Sequence, residues 1–269
     1  MAAATPEPYT PTETGDSAAD RTPASFTAGR LAVALTVAGL LGWAILSFTP
    51  KLFTIPESLR SVQPNSPPAE QAKLAAKEAE IRLGNGLTHF LVLGLAFGLV
   101  PLILGQGARA ELAGAAGIAT GLAGGAAAYL IGARLRDLID SGYAFPQFGG
   151  LGGDLGESIQ GDVLVFGLVG LCLSLPLVVA MLMFGGKNSG ERACMAPVAG
   201  LMAGLLFPAL ISFLVPSEST QKFPIQHAGL LALWLAIQVL LSFLFISAIG
   251  DKKQRRPKVE PAMAPLPPE

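Results

Sequence analysis

Six long apolar runs, none with a charge in its interior, constrain this chain more than any other feature. They are Leu31 to about Phe48, Gly86–Gly105, Leu112–Gly132, Val163–Gly185, Ala193–Val215 and Ala228–Ile249. Each is near the roughly 20 residues that a helix needs to cross about 30 Å of hydrocarbon. A bilayer offers no water to unpaired backbone groups, so a spanning segment is a helix or part of a closed barrel. Runs this long, without strict alternation, select helices. The expected fold is therefore an all-α integral membrane protein of about six transmembrane helices, two pairs of which form Gly/Ala-rich helical hairpins. The expected spans are about 31–49, 86–105, 112–132, 163–185, 193–215 and 228–249. The third is the weakest on an insertion scale, because Ala and Gly supply most of its apolar character.

Composition agrees. Of 269 residues, 51% are hydrophobic and 14% charged. The charged share is well below the roughly 25% of soluble domains, which argues against a disordered chain, a nucleic-acid binder and an ordinary cytosolic enzyme. Lys+Arg 18 against Asp+Glu 19 leaves a net charge of -1, so no overall field selects a partner. The expected partner is the lipid bilayer, with no nucleic acid.

The flanking segments differ in kind. Residues 1–30 are rich in Pro, Thr, Ala and acidic residues, a composition expected to stay disordered and unlike an Arg-rich transit peptide. The first run follows Arg30 and ends at Thr49-Pro50-Lys51 without a small-x-small cleavage site. It reads as an uncleaved signal anchor, with a cleaved signal peptide as the alternative. Residues 69–83 carry Glu70, Lys73, Lys77, Glu78, Glu80 and Arg82, with Leu74 and Ile81 seven apart. A short helix is expected there, lying on the membrane surface or leading into the second span. Residues 133–162 read as a connection holding Tyr143, Phe145, Phe148 and the run Gly149–Gly153. Its Asp137, Asp140, Asp154, Glu157 and Asp162 lack EF-hand spacing and read as a solvated acidic loop. The glycine run does not complete a phosphate-binding fingerprint. Residues 250–269 form a basic and then Pro-rich tail.

Orientation follows from counting Lys and Arg. With both termini cytoplasmic, Arg30, Arg109, Lys187, Arg192, Lys252, Lys253, Arg255, Arg256 and Lys258 fall inside. Lys51, Arg60, Lys73, Lys77, Arg82, Arg134, Arg136 and Lys222 fall outside. The counts are close, but Lys252, Lys253, Arg255, Arg256 and Lys258 adjoin the last span and weigh most. The expected location is the cell membrane, plasma or inner, with both termini in the cytoplasm. The same five residues suit anionic lipid headgroups.

Spans three and five align without a gap at an offset of 80. Glu111/Glu191, Ala113/Ala193, Ala116/Ala196, Ala119/Ala199, Ala123/Ala203, Gly124/Gly204, Leu130/Leu210 and Ile131/Ile211 are identical. Alanine supplies half of these matches, so a duplicated hairpin and a compositional coincidence both remain open. Gly94-Leu95 matches Gly167-Leu168, and Pro101 matches Pro176, with the later hairpin one or two turns longer.

Gly117, Gly121 and Gly125 recur every four residues, as do Ala196, Gly200 and Gly204. Small residues at this spacing clear a stripe along one helix face, a glycine-zipper pattern, and let a second backbone approach. Packing within the chain is the first reading; a seam to a homo-oligomer or a membrane-protein partner, or a pore-lining face, is the second. The two Ala/Gly-rich spans are expected to face each other. Pro101, Pro176 and Pro208 lie inside spans and predict kinks, because proline removes a backbone donor and clashes with the preceding turn.

Sites for chemistry are sparse. Cys172 and Cys194 differ in depth by about 15 Å along their helices, which argues against a disulfide. Neither they nor His89 and His227 reach zinc-ligand spacing, and no cofactor is expected. The polar residues deep in the spans are Thr36, Thr120, Ser174, Ser212, Gln238 and Ser242. The absence of intramembrane charge argues against ion coupling. Ser174 lies in Leu-Cys-Leu-Ser-Leu, without the glycine context of an intramembrane serine nucleophile, and both histidines start their spans. The expected function is a non-enzymatic scaffold or assembly component. A passive channel or carrier for a small neutral solute, lined by spans three and five, is the alternative, and an intramembrane hydrolase stands last.

Overall fold

A computed structural model describes residues 27–48, 52–140, 154–214, 225 and 227–249. The disordered-tail expectations for 1–26 and 250–269, the Gly149–Gly153 run and the basic residues Lys252, Lys253, Arg255, Arg256 and Lys258 lie outside the described residues. Among the described residues the regular elements are all helices, and six helical segments are long and apolar enough to cross a membrane. It is a polytopic all-α membrane protein.

The first span is α1 (Ala28–Phe48). After the short α2 (Glu57–Arg60), the second span is α3 (Pro68–Gly98), continued by α4 (Val100–Leu104). The third is α5 (Ala108–Asp140). The fourth is broken into α6 (Asp154–Leu173) and α7 (Leu175–Phe184). A 3-10 turn at Gly186–Asn188 leads into the fifth, α8 (Ser189–Leu214), and the sixth is α9 (Ala228–Ala248).

Of the two dispositions expected for the charged stretch 69–83, the structure has the one that leads into the second span: it is the first half of α3, which runs on without interruption. Pro67 precedes it and Pro68 begins it, where a missing N–H costs nothing. Much of 133–162 is also helical, since α5 runs to Asp140 and α6 starts at Asp154. The reason lies in packing: Ala133, Leu135 and Ile139 reach the hydrophobic core, and Ile139 covers Gly161.

The packing order closes a ring, with α1 on α3, α3 on α5, α5 on α6, α6 on α8, α8 on α9 and α9 on α1. Segments α4 and α7 touch each other across the middle. The second and fourth spans are thus the central ones, and the fourth is the most buried, at 61% of its most apolar window against 39% for the third. This corrects the expectation that the Ala/Gly-rich spans face each other. Helix α5 packs on α3, and α8 packs on α6. A glycine stripe is narrow: on α5 it seats the α3 backbone, while Leu112, Leu130 and Ile131 elsewhere on the helix are exposed.

Helix α1 belongs to this bundle. Leu31, Ala34, Leu35 and Ala38 are buried against it, and the Trp43 indole N–H donates to the Ala228 carbonyl at the start of α9 (3.0 Å).

Candidate functional site

The glycine stripes lie where backbones meet. A Cβ built at Gly121 would fall on the carbonyl of Gly94, and one at Gly94 on the carbonyl of Gly121. One turn along, a Cβ at Gly98 would sit 2.8 Å from the Gly117 carbonyl, and one at Gly117 would sit 2.5 Å from that of Gly98. Gly125 lies under the carbonyl of Phe90, and Gly86 under the Tyr129 ring, whose hydroxyl donates to the Arg82 carbonyl (3.0 Å). Helices this close gain dispersion contacts and Cα–H···O contacts, each of the latter worth about 0.5–1 kcal/mol.

The second hairpin repeats the arrangement. Gly170 and Gly200 face each other through their carbonyls, and Gly204 lies under the carbonyl of Phe166. Ala196, the third member of that stripe, is fully buried. Between the hairpins, a Cβ at Gly124 would meet the Cys172 carbonyl at 2.5 Å. Gly124 therefore serves a different neighbour from Gly204, with which it is identical at offset 80. The contacts themselves match at an offset of 79: Gly121 with Gly200, Gly125 with Gly204. Both hairpin turns also use a left-handed glycine 79 apart, Gly107 (φ 61) and Gly186 (φ 68). On the first arms Phe90 and Gly94 match Phe166 and Gly170 at 76, so the second hairpin is about one turn longer. The seam, not alanine identity, sets the register of the two hairpins.

Two of the three singled-out prolines sit at breaks. Leu99 separates α3 from α4, with Pro101 just beyond, and Ser174 separates α6 from α7, with Pro176 just beyond. Ser174 is fully buried, and its hydroxyl donates to the Leu171 carbonyl (2.6 Å). Pro208 differs in that it lies inside a continuous helix, α8, as Pro197 does. The Ser212 hydroxyl donates to the Pro208 carbonyl there (2.8 Å). Thr120 likewise bonds the Ala116 carbonyl of its own helix (2.8 Å).

Three charges expected to face solvent are tied into the fold. Asp162 is no part of a solvated loop: it is buried and paired with Arg136, so the end of α5 is joined to α6. Arg192 is buried as well. Its guanidinium donates to the Gly185 carbonyl (2.5 Å) and to the Ile249 carbonyl (2.8 Å), and so holds the α7–α8 turn to the end of α9. A cation there also complements the negative end of the α9 dipole. Arg192→Met is expected to lower stability by about 2 kcal/mol, the worth of charge-assisted bonds to carbonyls. Lysine should not restore it, since its single ammonium cannot span both acceptors as the planar fork does. Thermal denaturation of the two variants in detergent checks both statements.

On α9 the buried face carries Trp234, Gln238 and Ser242 in succession, one turn apart. Trp234 packs edge-on against Phe166 (6.0 Å between centroids), which ties α9 to the second hairpin. The Trp234 Nε1, both polar atoms of the Gln238 amide and the Ser242 hydroxyl are buried without a hydrogen-bond partner among the described residues. The amide points at the Gly170–Gly200 contact, where a Cβ on Gly170 would lie 3.4 Å from Gln238 Oε1. This row was visible in sequence only as isolated polar residues. Cys172 is buried and Cys194 exposed, and both thiols are free.

Compared with known proteins, the chain matches no family model, no curated sequence and no solved structure.

Proposed function

We propose that this chain is a non-enzymatic scaffold of a membrane assembly, set in the cell membrane with both termini cytoplasmic. The observation that carries the reading is the length of α3. It holds 31 residues, and residues 68–80 are exposed apart from a partly covered Leu74 and Lys77. They form a charged helical arm beyond the apolar part of the second span. Such an arm suits docking of a second protein, while the reciprocal glycine seams suit a rigid base. The orientation rests on Lys252, Lys253, Arg255, Arg256 and Lys258 after the last span.

A photo-cross-linking residue at Glu78, in native membranes, should yield one defined adduct. The native complex should be heavier than the 27.7 kDa chain and should return to chain size when residues 70–80 are replaced by a Gly/Ser segment. A single species of chain size in unmodified membranes would contradict the reading.

The row Trp234, Gln238 and Ser242 favours a second reading, a passive path for a small neutral solute along α9. It requires purified chain in vesicles to pass glycerol or urea faster than empty vesicles, and Gln238→Leu to abolish the flux.

A further inference from the structure

A serine inside a membrane helix ordinarily turns its hydroxyl back on its own backbone. Ser212 does so on α8, to the Pro208 carbonyl (2.8 Å), and Ser247 does so on α9, to the Phe243 carbonyl (2.6 Å). Ser242 does not. Its hydroxyl, both polar atoms of the Gln238 amide and the Trp234 indole nitrogen are enclosed in the bundle with no hydrogen-bond partner among the described residues. Gln238 and Ser242 are fully buried. Polar groups closed off in this way lose their hydration with nothing in exchange, a state that folded proteins rarely tolerate.

The neighbours of this row are on α6 and α8. Trp234 lies against Phe166 and Gln238 beside Gly170, so α9 and α6 run in the same direction at an offset of 68. The next step of four brings Ser242 level with Ser174, the fully buried serine at the α6–α7 break. The Ser174 hydroxyl donates to the Leu171 carbonyl, and its oxygen can still accept. From α8, Gly200 closes the same spot, where a Cβ built on it would sit 2.9 Å from the Ser174 Cβ. Three helices thus bring one amide and two hydroxyls to within a helical turn of one another in depth, near the middle of their apolar runs.

The set of donors and acceptors selects the ligand. The indole and amide nitrogens only donate, the amide oxygen only accepts, and the hydroxyls do both. A metal cation would satisfy the oxygens alone and leave the N–H groups facing it. An anion would satisfy the donors alone and meet the amide oxygen. Neither would find a counter-charge, because residues 163–185, 193–215 and 228–249 hold no Asp, Glu, Lys or Arg. Water is neutral, gives and accepts hydrogen bonds, and is held in protein interiors by roughly two to four polar partners. We infer that Gln238, Ser242 and Ser174 hold an enclosed water that bridges α9 to the break between α6 and α7. Such a water serves a rigid scaffold and a solute path alike, so the site does not depend on either function.

The full chain and its Gln238→Leu variant are reconstituted in lipid bilayers, once in ordinary water and once in water carrying the heavy oxygen isotope. Their infrared spectra are then subtracted. The difference should contain a narrow O–H stretching band, present in the unmodified protein and absent from the variant, that moves to lower frequency in the heavy water. Protein hydroxyls and amides keep their own oxygen and do not move. A difference spectrum indifferent to the isotope would overturn the inference. Stability supplies a second readout, since leucine is close to glutamine in size. Loss of an amide that holds a water should shift the unfolding equilibrium about tenfold toward the unfolded state. An unchanged or raised thermal midpoint in Gln238→Leu would mean that the amide held nothing and would also overturn it. Should that variant fail to fold, Ser242→Ala removes one partner of the same water by deleting a single atom. The isotope-sensitive band should then appear in the difference between the unmodified chain and Ser242→Ala, and its absence there would be equally contrary.

Discussion

Gly121→Ala destabilises the protein by about 3 kcal/mol or more, a result expected from a single methyl group. The new Cβ falls on the carbonyl of Gly94, which is backbone and cannot swing aside. The two helices must separate, and the contacts at Gly98–Gly117 and Phe90–Gly125 loosen with them. Overpacking in a tight interior costs about 1–3 kcal/mol where side chains can adjust, and a backbone clash lies at the upper end or above. Gly204→Ala meets the same obstacle at the Phe166 carbonyl and should cost as much. Leucine at either position should leave no monodisperse folded protein in detergent. Gly190 supplies the control, because nothing lies within 4 Å of a Cβ built there and its backbone is helical. Gly190→Ala should be neutral or stabilising by up to about 1 kcal/mol, as alanine is the better helix former. Thermal denaturation of the three alanine variants gives the comparison, and equal midpoints for Gly121→Ala and Gly190→Ala would remove the seam from the account.

The second large effect is expected at Arg136–Asp162. Side-chain exposure is 17% for Arg136 and 3% for Asp162, so loss of the cation leaves a carboxylate with little access to water. Breaking a buried pair by removing one partner costs about 3–5 kcal/mol, whereas replacing both by apolar residues is often close to neutral. Arg136→Met should therefore be far worse than Arg136→Met combined with Asp162→Leu. The measurement is a double-mutant cycle on unfolding in detergent. A double variant as unstable as the sum of the singles would show that the pair is not coupled. The effect should be global, since the pair joins the end of the first hairpin to the start of the second.

Much of this fold is legible in the sequence, and the part that is not has a physical reason. The six apolar runs are long enough to declare themselves, and Gly117, Gly121 and Gly125 announce a close backbone contact. What they do not announce is the partner. Gly94 and Gly98 have the same spacing and were the available signal for it, but they lie in a Leu/Phe-rich run that reads as lipid-facing. The Ala/Gly-rich spans look like natural neighbours because they share composition, yet each seam needs small residues on both sides and not a small-residue helix on both sides. Arg136, Asp162 and Arg192 sit at the ends of apolar runs, where a charge ordinarily meets water. The pair needs the end of α5 beside the start of α6, and Arg192 needs the α7–α8 turn beside the end of α9, and no local pattern records either. The row Trp234, Gln238 and Ser242 needs only helical spacing to be seen on one face. Its lack of partners depends on α6 and α8.

The central claim is that each hairpin is closed by its own glycine seam. Leu95 and Leu122 are exposed residues next to Gly94 and Gly121, and Leu206 is exposed on α8. In a chain with alanine at Cys172 and Cys194, the paired substitutions Leu95→Cys and Leu122→Cys flank the first seam, while Leu122→Cys with Leu206→Cys tests contact between the two Ala/Gly-rich helices. A short bifunctional thiol reagent in membranes should link 95 to 122 within one chain and leave 122 and 206 unlinked. A link from 122 to 206, or a 95–122 link formed between two copies of the chain, would contradict the account.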